Sequence, residues 1–168
     1  MTPPEQIRPA TETDITALAK LYHEFHEFHV QGVPDYLQTL GRWDGFDTAA
    51  LAEALQRLLV DEQAAVFVIE QAGILLGFVE VYLRHTDPEN TAVVPYTYGL
   101  VQSLMVTETA RGQARGRALL TAAEQWVQAH NGREIQLSSW EFAAGPRHFY
   151  GHLGYRTLKR TLVRRLEE

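Results

Sequence analysis

Between Leu104 and Leu120 the chain reads Leu104-Met-Val-Thr-Glu-Thr-Ala-Arg-Gly-Gln-Ala-Arg-Gly-Arg-Ala-Leu-Leu120. Strand-forming residues give way to a loop of small residues, and the loop to an amphipathic helix. A helix that starts there leaves its first N–H groups without intrahelical partners, and its dipole adds partial positive charge. Small side chains let a pyrophosphate approach the backbone, and Arg111, Arg115 and Arg117 bring cations to the same turn. The chemistry on offer is anion binding. An arginine-rich surface turn before an ordinary helix is the plain alternative, because short glycine motifs recur without function. A second cluster is His23-Glu-Phe-His-Glu-Phe-His29. His23 and His26 would share a helix face, with His29 one turn further, a spacing open to a metal ion. A wet, histidine-rich face is the preferred reading, and no metal is expected.

The elements that must position these residues follow from periodicity. Gln6 to Pro9 suits a short strand. Thr13 or Asp14 can cap a helix whose Ile15, Leu18, Ala19, Tyr22 and Phe25 recur at helical spacing, to about Phe28. Gly32 and Pro34 break the pattern, and 32–47 reads as irregular. Asp47 or Thr48 caps a second helix with Leu51, Leu55, Leu58 and Leu59 on its apolar face. Period two then takes over. Ala65 to Glu70 is a strand, Gln71 to Gly73 a hairpin turn, Leu75 to Arg84 a strand, and Tyr96 to Val106 a long strand. A helix from Ala114 or Arg115 to His130 follows, then a strand at Glu134 to Ser138 and a helix from Ala143 to His152. Gly154 to Leu166 reads as a last, strand-rich segment. An antiparallel meander followed by a β-α-β crossover makes an α/β domain: a mixed, mostly antiparallel sheet with helices on both faces.

Composition narrows the function classes. The 168 residues fit a single domain, 1–168, and contain no cysteine, which excludes disulfides and thiolate chemistry. The net charge of −6 suits a cationic partner better than a nucleic-acid backbone. No apolar run is long enough to span a membrane, and Met1 to Pro9 has no signal-like apolar stretch, so a cytoplasmic location is expected.

Arg111-Gly-Gln-Ala114-Arg-Gly116 resembles the acetyl-CoA motif Q/R-x-x-G-x-G/A of the GNAT family of N-acetyltransferases, with Ala114 where that family usually has glycine. His148-Phe-Tyr150-Gly-His-Leu-Gly154-Tyr155 resembles the family's C-terminal F-Y-x-x-x-G-F/Y signature, although Ala143 and Pro146 stand where N-x-x-A is common. The resemblance spans the chain in element order. It implies a GNAT fold whose sheet splays open between its fourth and fifth strands, with acetyl-CoA in the gap as co-substrate. Leu104, Met105 and Val106 would offer main-chain groups to the pantetheine. Arg111, Gly112, Gln113, Ala114, Arg115, Gly116 and Arg117 would hold the pyrophosphate.

The implied reaction is direct attack of a primary amine, on a small molecule or a peptide, upon the thioester. The resemblance makes Tyr150 the general acid for the leaving thiolate; packing beside Phe149 is the alternative. The fourth strand lacks the glutamate some members carry there. Glu80, in the otherwise apolar Gly77 to Leu83, is the substitute base, unless it is a glutamate on a polar strand face or a water chain serves instead. Tyr22, Phe28, Tyr36, Trp43 and Phe46 would line the acceptor pocket or belong to the core. Many GNAT proteins pair as homodimers, which the resemblance extends to this chain. A non-catalytic acyl-CoA-binding module is the competing reading.

Overall fold

The structure, a computed structural model, describes residues 3–39 and 48–166. Its elements are β1 (Gln6–Pro9), α1 (Ile15–Gly32), α2 (Thr48–Leu59), β2 (Ala64–Gln71), β3 (Ile74–His85), β4 (Thr97–Val106), α3 (Arg115–Ala129), β5 (Glu134–Leu137) and α4 (Arg147–His152). The strands form one sheet in the order β1-β2-β3-β4-β5. The first three pairings are antiparallel, and β4 with β5 is parallel, so the sheet is mixed as expected.

Helices cover both faces because the strands are apolar on both. Phe78 and Met105 face α1 and α2, meeting Leu18, Leu21 and Leu55. Val79, Val81 and Val101 face α3, meeting Leu119, Leu120, Ala123 and Val127. Each fully buried leucine in these layers contributes about 1.5–3 kcal/mol. The β2–β3 hairpin turns through Ala72 and Gly73, both at positive φ (53° and 77°), the two-residue geometry that suits strand twist.

Arg8 pins the start of α1 to the sheet. Its guanidinium donates to both oxygens of buried Asp14 (2.7 and 2.9 Å) and to Glu70 of β2. Those bonds hold the Asp14 carboxyl down to about 2, against the opposing effect of burial. The folded pKa is depressed, so the pair's stabilisation is complete above about pH 4 and is lost as pH falls toward 2. About 2 kcal/mol should disappear across that window. Urea midpoints measured from pH 5 to pH 2 should fall more steeply for the wild type than for Asp14→Asn.

Three expectations need correction. Helix α1 continues past Phe28 to Gly32, because no breaker lies between the two, and Pro34 disfavours helical geometry at Val33. The expected last strand is absent: 155–166 takes no regular secondary structure and pairs with no strand among the described residues. Helix α4 also starts later than Ala143, at Arg147 behind Pro146. Asp47, one of the two expected caps of α2, lies outside the described residues.

Candidate active site

The site begins where β4 and β5 part. Their pairing ends at Val101 with Leu137, whereas β4 runs on to Val106. At the same point the β3–β4 register slips from Glu80↔Ser103 to Val81↔Val101, leaving Gln102 as an extra residue. Such a bulge bends the strand and re-aims its backbone. Beyond it, Gln102 to Val106 keeps an edge that β5 does not cover.

That edge is one wall of a cavity of about 660 Å³. Phe25, Phe28 and His29 of α1 form a second wall, Ser138 and Ser139 after β5 a third, and Phe149, Tyr150 and Leu153 of α4 a fourth. Arg111, Gly112 and Ala114 to Arg117 close one end. The expected residues Leu104, Met105 and Val106 all line this space, whereas exposed Gln113 does not.

The loop has the conformation its sequence suggests. Gly112 sits at φ 80° and Ala114 at φ 60°, both left-handed. Among the described residues, the N–H groups from Gly112 to Arg117 meet no acceptor. A Cβ on Gly112 would touch nothing within 4 Å, so the loop stands open toward the cavity. A pyrophosphate fits this donor set: free amides at a helix start, with exposed Arg117 beside them. Ala114 pays for its missing glycine with roughly 1 kcal/mol of backbone strain. Ala114→Gly should therefore stabilise the fold by about 0.5 kcal/mol, after the unfolded-state entropy of glycine is subtracted. A lower melting temperature would mean that the methyl group contributes packing.

The three arginines have separate duties. Arg115 turns inward and is buried; it pairs with Glu5 and donates to Ala110 O at 2.6 Å. It braces the loop from beneath. Arg111 folds back along β4. Its Nε donates to Val106 O at 3.0 Å, and its guanidinium lies 5.1 Å from the Phe28 ring centre. Arg117 has no partner for its guanidinium among the described residues.

Tyr150 is the titratable side chain of the α4 wall with a perturbed pKa. Desolvation pushes its phenol up to about 12, so it stays protonated across the physiological range. Phe149 lies edge-on at 5.2 Å, and Tyr155 is tilted at 5.6 Å. Glu80 lies elsewhere. It is buried under α1 and accepts from Tyr22 (2.7 Å) and Tyr82 (2.5 Å), and it does not line the cavity.

A sequence profile described as an acetyltransferase (GNAT) domain matches residues 62–157. The chain belongs to the GNAT family of acetyltransferases. The profile covers both the Arg111–Arg117 loop and Tyr150. Among curated proteins, an aminoglycoside N(6')-acetyltransferase type 1 of Stenotrophomonas maltophilia is 32% identical over 134 residues, covering 79% of this chain and 74% of its own. A variant of the BH1408 protein from Bacillus halodurans superposes with a TM-score of 0.84 at 25% identity, over 96% of this chain and 99% of that one. The enzyme AAC(6')-Iy, in complex with the bisubstrate analog CoA-S-monomethyl-acetylneamine, has the same fold (TM-score 0.73, 16% identity, 98% and 99% covered).

As a GNAT domain, the chain spends its N-terminal aromatics in several ways. Phe28 lines the cavity, Tyr22 packs on Phe78 at 4.3 Å, and exposed Tyr36 stacks on Trp140. Trp43 and Phe46 lie outside the described residues. His26 and His29 engage the carbonyls of Gln38 and Phe25. Among the described residues, no group of three or more His, Asp or Glu side chains converges on a metal site. Sequence reasoning missed Phe25 and His29, which share the cavity face with Phe28 at helical spacing. It also missed Gln102, Ser138 and Ser139, whose roles depend on where two strands diverge.

Proposed function

We infer that this GNAT acetyltransferase moves an acetyl group from acetyl-CoA to a primary amine of a small cationic molecule. One observation carries the reading: an uncapped helix start and a phenol line one cleft between β4 and β5. The N–H groups of Gly112 to Arg117 would hold the pyrophosphate, with Arg117 adding charge. The free edge of Gln102 to Met105 would pair with the pantetheine amides, Val106 O being partly taken by Arg111. The tetrahedral centre would then form near the bulge. With the carbon–nitrogen bond formed in that centre, Tyr150 would give its proton to the departing sulfur as the carbon–sulfur bond breaks.

The attacking amine must first lose a proton. Neither Glu80 nor its partner Tyr82 lines the cavity, so service by Glu80 as base needs water to carry the proton from the amine to this pair. On that reading Glu80→Gln and Tyr82→Phe each lower kcat and remove the acidic limb of the pH–rate profile. An intact acidic limb in both variants would return the step to solvent water.

The acceptor class rests on the acidic composition and on the aminoglycoside-modifying relative. Thiol release from acetyl-CoA should be measured over aminoglycosides, polyamines and peptide N-termini. Polycationic small molecules should turn over fastest. Acetyl-CoA binding without thiol release for any of these amines would favour the acyl-CoA-binding module.

A further inference from the structure

The helix that carries His29 also fixes its tautomer. Nδ1 lies 2.7 Å from the main-chain oxygen of Phe25, one turn earlier in α1. A carbonyl oxygen can only accept, so Nδ1 carries the hydrogen and neutral His29 keeps a lone pair on Nε2. With the Nδ1 side of the ring held against the helix backbone, Nε2 is the outer nitrogen. It meets no partner among the described residues, and it is not shut away from solvent. The ring is held on several sides. Phe25 is tilted at 4.4 Å and Phe28 lies edge-on at 5.4 Å, while Phe142, from the segment after β5, lies edge-on at 6.1 Å. His29 therefore brings a bare, oriented acceptor to the α1 wall of the cavity.

The rest of the cavity lacks such a group. No Asp or Glu is among the described residues that line it. Its other titratable side chains are Arg111, Arg115, Arg117, Tyr150 and His152. A guanidinium has no lone pair to accept a proton, and burial keeps the Tyr150 phenol protonated. His152 has the same tautomer, with Nδ1 2.6 Å from His148 O, but it is exposed at the end of α4. Around His29 the three phenylalanine rings carry no charge. The Arg111 guanidinium shares the Phe28 ring with it, and His26, one turn back, is engaged by Gln38 O.

We propose that His29 is the general base of the transfer, with Nε2 taking the first proton from the acceptor ammonium. The inference rests on the acetyl-transfer reading above. Because His29 lines the cavity, it can meet the amine without the water that Glu80 requires. His29 passes the proton on to solvent. The freed lone pair on nitrogen attacks the thioester carbon and forms the carbon–nitrogen bond. As the carbon–sulfur bond breaks, sulfur leaves with the bonding pair and takes the Tyr150 proton. The nitrogen then gives up its second proton to water, and the phenol takes one back, so one proton is released for each acetyl group moved.

Two variants remove Nε2 in different ways. His29→Asn keeps an amide donor for Phe25 O, and His29→Gln keeps the reach of the side chain. With the best amine of the panel, each should lower kcat/KM at pH 7 by about 10²–10³ and leave acetyl-CoA affinity unchanged. The deficit should shrink as pH rises toward about 10, where a primary amine loses its proton unaided. Tyr150 stays protonated over that range, so its titration does not mask the recovery. A deficit that stays constant with pH means packing and overturns the proposal. So does an acidic limb that survives in both His29 variants and disappears in Glu80→Gln or His152→Asn. The tautomer can be read without turnover, from a two-bond proton–nitrogen spectrum of labelled histidines, with His29 assigned by its loss in His29→Asn. Hydrogen on Nδ1 is expected, and hydrogen on Nε2 overturns the proposal. A wild type that releases no thiol with any amine would sink the transfer reading, and the role of His29 with it, whatever the tautomer.

Discussion

Gly116→Val is expected to raise the acetyl-CoA dissociation constant by about tenfold to a hundredfold, the loss of one or two charge-assisted contacts at about 1.5–3 kcal/mol. Glycine here serves two surfaces. Its amide lies in the run of free donors at the start of α3, and its α-carbon touches the wall that α4 provides. A Cβ at this position would fall 2.9 Å from Cζ of Phe149. Valine would therefore push Phe149 outward, and Tyr150 beside it, while its methyl groups enter the space meant for the pyrophosphate. Overpacking of this kind also costs about 1–3 kcal/mol of stability. Calorimetry on folded protein, below the variant's melting temperature, separates the two effects. Unchanged affinity would remove the loop from the binding site, whatever happened to stability. Gly116→Ala should lie between the two, because its single methyl meets only the tip of a ring.

Tyr150→Phe should lower kcat by about 10²–10³ and change KM little, the range expected for a lost general acid. That corresponds to about 3–4 kcal/mol of barrier. The lower part of the general-acid range applies because burial holds the phenol up to about 12. A thiolate with a reference pKa near 8.5 is a weak taker of that proton, and it can leave unaided. The same shift fixes the pH dependence. An acid must be protonated to act, so its contribution is lost as pH rises through its pKa. A pKa raised from 10 to about 12 moves that loss above pH 11, and Tyr150 should impose no alkaline limb between pH 7 and pH 10. The phenylalanine ring still packs against Phe149 and Tyr155, so melting temperature and acetyl-CoA affinity should hold. A variant as fast as wild type, with chemistry limiting the rate, would leave Tyr150 only a packing role.

The parts of the fold written in local patterns were legible before any coordinates. The two-residue alternation of Ala65 to Glu70 and the helical spacing of Leu119, Leu120 and Ala123 are properties of neighbouring residues, and both became elements as expected. The unpaired amides at the start of α3 were readable for the same reason, since any helix start leaves them. What stayed hidden depends on residues distant in sequence. Nothing near Arg115 says that its guanidinium is used up by Glu5, which is 110 positions away. Nothing near Glu80 says that α1 delivers the Tyr22 hydroxyl to it and closes it off from the cavity. The Gln102 bulge needs the register of two strands to be visible. The last segment looked strand-like because it has the composition of a strand, but a strand also needs a partner edge.

Acetyl transfer through this cleft can be measured directly. Acetyl-CoA and the best acceptor from the amine panel are incubated with wild-type protein, and free thiol and acetylated amine are quantified together. Equal amounts of the two are expected throughout the time course, with the rate of both falling by about 10²–10³ in Tyr150→Phe. Thiol appearing without acetylated amine, or neither appearing while acetyl-CoA is bound, would contradict it.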